Sequence, residues 1–167
     1  MSTHLAQVNV ALLRAPIDDP MIADFVAALD PINALAEHSP GFIWRLKGDG
    51  NDATSLRVFE NAAIIVNMSV WESIESLYAF AHNSEHVTFF RRRREWFEKM
   101  ATPAFVMWWI PAGHLPTTEE ARLKLEHLER HGPTPQAFTF KQRFDANEGQ
   151  DSGPRPSASP IGPIEIY

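Results

Sequence analysis

Residues 5–13, LAQVNVALL, alternate so that Ala6, Val8, Val10 and Leu12 fall on one side of an extended chain and Gln7 and Asn9 on the other. A period of two predicts a strand with one apolar and one mixed face. Asp18, Asp19 and Pro20 then open a stretch in which Ile22, Phe25, Val26, Leu29, Ile32 and Leu35 recur at spacings of three and four, which predicts a helix ending at Ser39-Pro40-Gly41, with Pro31 as a possible kink. FIWRLKG at 42–48 reads as a strand, GDGNDATS at 48–55 as a turn-rich excursion, and LRVFENAAIIVNMSVW as a strand whose firmest part is Ile64 to Trp71. That strand again has two faces, Ile64, Val66, Met68 and Val70 against Ile65, Asn67, Ser69 and Trp71.

A helical region is predicted from Ser73 to Met100, with Asn83-Ser84 as a break or a fresh N-cap. AFVMWWIP at 104–111 follows as a strand. Thr117 and Glu120 form a capping box for a helix over 118–131, stopped by Gly132-Pro133, and FTFKQRF at 138–144 allows a short final strand. The order is βαββαβ with an αβ addition, and no repeat appears. Residues 1–147 form one expected domain, and 148–167, rich in Gly, Pro and Ser, an expected flexible tail.

The run Arg91 to Arg94 raises the question of which arginine turns inward. On one continuous helix, Phe90, Arg93, Phe97 and Met100 fall within about 40° of His86, and Arg91, Arg92 and Arg94 project away at roughly 140°, 120° and 80°. Arg93 is therefore expected to be largely buried near His86, while Arg91–Glu95 and Arg94–Glu98 pair at four-residue spacing.

Charge narrows the function classes. The chain has 15 Lys+Arg against 21 Asp+Glu, a net charge of −6, so the arginine run is a local exception and a nucleic-acid partner is not expected. Cysteine is absent, which removes disulfides, thiolate metal sites and a Cys nucleophile and points to a reducing cytosol. The first sixteen residues lack a basic leader and cleavage pattern, and no apolar run approaches the roughly 20 residues that cross a bilayer, so a cytoplasmic protein without a membrane partner is expected.

A guanidinium or imidazole in an apolar stripe needs a partner. Either Arg93 and His86 are satisfied structurally, or they line a cavity with Asn9, Asn67 or Ser69. Parity alone leaves open which sheet face the helices cover. His82 and His86 are four apart, as metal ligands on one helical face are, but Asn83-Ser84 interrupts that helix and no third ligand is placed, so no metal is expected. Walker, nucleophile-elbow and G-x-G-x-x-G motifs are missing. Five tryptophans and eleven phenylalanines suit a pocket for a flat hydrophobic compound, or simply fill a core. Trp71, Phe90 and Trp96 are candidate lining residues, as is His114 on the loop of PAGHLP.

AQVNVA at 6–11, WESIESLYAFAHNSEH, RRRREWF, and WWIPAGHLPTTEEA followed by GPTPQAFTF resemble the DUF3291 family over about residues 4–144. That family is placed in the dimeric α/β-barrel superfamily that also holds the antibiotic biosynthesis monooxygenases. The resemblance implies an α+β, ferredoxin-like unit with an antiparallel sheet that pairs with a second copy into a dimeric α/β barrel, and a pocket between helices and sheet. Superfamily members include cofactor-free monooxygenases, haem degraders, isomerases, cyclases and proteins of no known activity. The haem-degrading branch uses a first-strand Asn, matched by Asn9, with a Trp and a His whose positions fall on Ala81 and Arg91.

Two classes of function remain. One is a cofactor-independent enzyme on a small aromatic or polyketide-like molecule, with His86 as acid or base and Arg93 holding an enolate or phenolate. The other is a non-catalytic ligand-binding, haem-binding or structural dimer. A homodimer through the sheets is expected in either case, because a sheet with helices on one side must cover the other.

Overall fold

The computed structural model of the chain describes residues 2–48, 50, 53–54 and 58–148. Strand β1 (Thr3–Leu13) leads through a 3₁₀ turn to helix α1 (Ala23–Glu37), then to β2 (Phe42–Arg45) and β3 (Ile64–Trp71). Helices α2 (Ile74–Ala81), α3 (Ser84–Arg91) and α4 (Arg93–Trp96) follow, then β4 (Phe97–Glu98), β5 (Phe105–Pro111) and α5 (Thr118–His131). The long strands lie in the order β2-β3-β1-β5, each pair antiparallel, with β4 extending the β1 edge beyond β5. Taken without β4, this is the ferredoxin-like order that the βαββαβ reading implies.

The caps explain most element starts. Asn83 accepts from the Glu85 N–H at the head of α3, and Thr117 accepts from Glu120 at the head of α5. Gly132, at φ +70°, ends α5 in the left-handed region that glycine enters without strain. The expected final strand joins the sheet through one bridge, in which Phe138 and Met107 of β5 exchange backbone hydrogen bonds of 2.7 and 2.9 Å. The expected tail lies outside the described residues apart from residue 148, and so does much of the expected turn at 48–55. Among the described residues no helix is long and apolar enough to cross a membrane.

Both sheet faces are buried. The face carrying Leu5, Gln7, Asn9 and Ala11 packs against α1 to α4, with Phe25, Ala36, Leu77, Phe80 and Trp96 supplying the apolar contacts. The opposite face, with Val8, Met68, Val106 and Trp108, packs against Ala121, Leu125 and Leu128 of α5 and against Leu46, Val58 and Phe59. Val8, Met68, Val106 and Trp108 are at most 1% exposed in the single chain. In the single chain, the face that the sequence argument left for a second copy is covered by the chain's own α5.

The region over 73–100 also differs from expectation. The helix that carries His86 stops at Arg92, resumes for four residues, and becomes extended at Phe97. Its phase therefore does not reach residue 93. The cause is the β1 edge, whose backbone groups past Val10 need partners. Phe97 and Glu98 pair with Leu13 and Leu12, and the Arg14 N–H donates to the Trp96 carbonyl at 2.8 Å, so tertiary hydrogen bonding overrides local helix propensity.

Candidate functional site: a buried polar strip under the helices

The helices cover the mixed face, so its polar side chains lie in the interior. Gln7 stands opposite Ser69, and Ser69 opposite Arg45, in one row across β1, β3 and β2; Asn9 and Asn67 form the next row. Directly opposed residues have Cβ atoms about 5 Å apart. Gln7 Nε2 donates to Asn67 Oδ1 at 2.9 Å and to Ser69 Oγ at 2.7 Å, and Trp71 Nε1 donates to the same Oγ at 2.8 Å. Those two bonds use both lone pairs of the Ser69 hydroxyl and leave its hydrogen to donate. Gln7 Oε1 and both polar atoms of Asn9 are buried with no partner among the described residues. Buried polar atoms are almost always paired, so three orphans on one sheet face mark a place where a hydrogen-bonding group is called for.

Arg45 is buried beside this strip, and its Nε donates to Glu37 Oε1 of α1 at 2.7 Å. That hydrogen bond holds the Glu37 carboxyl below the usual carboxylate range, against a smaller upward push from burial. Asn33, Arg45, Asn67 and Ser69 line a cavity of about 30 Å³ whose walls include Phe42, Trp71, Phe80 and Phe89. That is room for about two waters. The Phe80 ring stacks on Trp71 at 5.2 Å and reaches His86 at 5.1 Å, which ties His86 to the strip. His86 is fully buried, and its Nδ1 lies 3.0 Å from the Ala81 carbonyl. A carbonyl only accepts, so Nδ1 donates to it.

Asn9, Asn67, Ser69 and Trp71 are thus brought together, with His86 joined through Phe80. Arg93 is not. It is half-buried rather than largely buried; its guanidinium lies 4.1 Å from the Phe90 ring centroid and donates to the Phe90 carbonyl at 3.3 Å. It lines an outer cleft, because the helix breaks before it. Phe90 lies between these roles, 6.5 Å from His86 and under Arg93. Trp96 is core, packed with Phe25, Phe89 and Phe97. His114 is on the surface, its Nε2 2.8 Å from Glu120 Oε2. Burial pushes the Glu120 carboxyl up, but hydrogen bonds from His114 and Trp108 outweigh it and hold it low. The expected ion pairs within the arginine run are replaced by Arg92 with Asp24 and Glu95, and by Arg14 with Glu98.

Gln7, Asn33 and Arg45 are the members that the sequence reading left out. Gln7 shares a face with Asn9 in the period-two pattern, which was a usable signal; Arg45 sits on a four-residue strand with a register shift between Phe42 and Trp44, too short and irregular to set a phase. A haem does not fit these residues. The cavity beside the strip offers about 30 Å³, and a buried alanine and an exposed arginine, Ala81 and Arg91, occupy the positions of the tryptophan and histidine.

Over residues 4–154 the chain matches the family model described as a domain of unknown function, DUF3291. No curated protein matches it. Among solved structures it is similar to NE2512, a protein of unknown function from Nitrosomonas europaea, at 16% identity and a TM-score of 0.45 over 69% of this chain and 96% of that one. It is also similar to SnoaB, a cofactor-independent oxygenase from Streptomyces nogalater, at 13% identity and a TM-score of 0.43 over 68% and 97%. Because the family match runs from the first strand past the last element of the fold, the chain belongs to the DUF3291 family.

Proposed function

We propose that this chain is a cofactor-independent enzyme acting on a small hydrophobic, aromatic or polyketide-like molecule held between the helices and the mixed sheet face. The observation that supports it is the set of orphan polar atoms on Gln7 and Asn9 inside an otherwise apolar interior. Asn9 Nδ2 and the Ser69 hydroxyl donate to a substrate oxygen, while Gln7 Oε1 and Asn9 Oδ1 accept from a substrate hydroxyl. Arg45, rather than Arg93, supplies the guanidinium that stabilises an enolate or phenolate, and His86 Nε2 takes the proton. Deprotonation is the step that oxygenation, isomerisation and cyclisation share, and these residues serve that step. Neither nucleic acid nor a metal has a place in this scheme.

A second reading, a non-catalytic ligand-binding or structural protein, is favoured by the 30 Å³ cavity. A bicyclic ligand needs roughly 300 Å³ or more, so the helices must part from the sheet to admit one. Oxygen uptake and absorbance scans with 1-naphthol and anthrone separate the readings. Catalysis predicts turnover that falls about 10²-fold or more in Asn9→Leu and His86→Gln variants that keep their circular dichroism. Binding without turnover supports the second reading, and turnover unchanged in both variants contradicts the first.

A further inference from the structure

Between the cross-strand pairs Asn9–Phe105 and Leu12–Glu98, β1 takes three steps and the opposing chain takes seven. The Val10 N–H still reaches the Ala104 carbonyl at 2.8 Å, so residues 99–103 are forced out of the sheet edge. They frame a cleft of about 460 Å³ with a floor of Val10, Ala11, Phe97, Met100 and Ala104. Four cations, Arg14, Arg93, Arg94 and Lys99, line it against one carboxylate, Glu98. Glu98 is already 3.6 Å from Arg14, and among the described residues Arg93, Arg94 and Lys99 make no ion pair. The cleft shares no lining residue with the interior cavity.

In a chain of net charge −6, unneutralised cations gathered over an apolar floor repel one another unless an anion joins them. Arginine forks match the two oxygens of a carboxylate, sulfonate or phosphate, and the volume lies within the roughly 300–1,000 Å³ of small-molecule sites. We infer that this cleft is a second binding site, for a free amphiphilic anion whose apolar ring or chain lies on Val10, Phe97 and Met100 and whose acidic head meets Arg93, Arg94 and Lys99. The break after Arg92 then has a use: it turns Arg93 toward this cleft, beside Arg94, instead of into the core.

Calorimetric titration of the full chain with 2-naphthoate tests this, with 2-naphthamide as the uncharged isostere. Naphthoate should bind, the amide about tenfold or more weakly, and the double variant Arg94→Glu/Lys99→Glu should weaken naphthoate by a similar factor, since charge-assisted hydrogen bonds are lost. Arg91→Ala, on the exposed end of α3, and Asn9→Leu, in the interior, should leave it unchanged. Equal affinity for acid and amide, undiminished binding by the double variant, or loss in Asn9→Leu would overturn the inference. So would no binding of naphthoate, and sedimentation with phosphatidylglycerol vesicles in its absence would assign the cations to a lipid surface instead. Interior turnover is read separately through Asn9 and His86, so the two proposals fail independently.

Discussion

Replacing Asn9 by leucine should make the protein more stable. Asn9 is fully buried and neither its Nδ2 nor its Oδ1 has a partner among the described residues. An unpaired buried polar atom costs about 1–3 kcal/mol, and leucine of similar volume removes two of them. Apolar transfer adds roughly 1 kcal/mol, while the change of shape takes back up to about 1.5 kcal/mol. The expected net gain is about 1.5 kcal/mol at the least. Gln7, on the same face one pleat away, should behave oppositely. Its Nε2 serves both Asn67 and Ser69, so Gln7→Leu leaves two buried acceptors short of a donor, which outweighs the relief of its single unpaired Oε1, and should lose about 1 kcal/mol. Urea unfolding followed by tryptophan fluorescence reads both. With a slope of about 1–3 kcal/mol/M, the two midpoints should move by about 1 M in opposite directions at constant slope. If Asn9→Leu loses stability as Gln7→Leu does, the Asn9 amide has partners after all, and the reasoning that the strip calls for a ligand is refuted.

Arg45→Met should cost about 2–3 kcal/mol, less than a fully buried pair because Glu37 is partly solvated, and differential scanning calorimetry measures it. The Glu37 carboxyl is held low in the folded state, so its contribution is present above the ordinary carboxylate value of about 4.3 and is lost as pH falls through the lower folded value. The wild type should therefore lose more stability than Arg45→Met on acidification below about pH 4.5, and parallel curves would contradict the pairing. Alanine at 91, 92, 93 and 94 should each change stability by no more than about 1 kcal/mol in chemical denaturation; a loss of 3 kcal/mol or more at Arg93 alone would restore the buried-arginine reading. Leu125→Asp should lift α5 from the sheet and raise self-association in analytical ultracentrifugation, and an unchanged sedimentation profile with an unchanged melting point would deny α5 its covering role.

Periodicity made the long elements legible. Alternation in LAQVNVALL and IIVNMSVW located β1 and β3 and put Asn9, Asn67 and Ser69 on a shared face, because a strand's side-chain period is fixed by geometry. The capping box at Thr117 and the cap at Asn83 marked α5 and α3 by local hydrogen bonding that needs no tertiary information. What the sequence did not carry was tertiary. The short strand Phe97–Glu98 exists because β1 runs past β5, and that overhang is invisible until the sheet is assembled. The same overhang ended the helix and moved Arg93 outward. Parity left open which face the helices cover, and only the packing of α5 on Val8, Met68 and Val106 resolved it. Arg45 was missed since a strand of four residues with a bulge gives no reliable phase.

If the interior strip binds a ligand, its unpaired amides should respond to one. Side-chain amide resonances of Gln7 and Asn9, assigned in ¹⁵N-labelled full-length protein and followed during titration with 1-naphthol, test it most directly. The Asn9 Nδ2H₂ pair should shift and its slow exchange with solvent persist, with Gln7 and the Trp71 indole N–H following along the hydrogen-bonded chain. Shifts confined to surface amides, with Asn9 and Gln7 unmoved at saturating 1-naphthol, would contradict it.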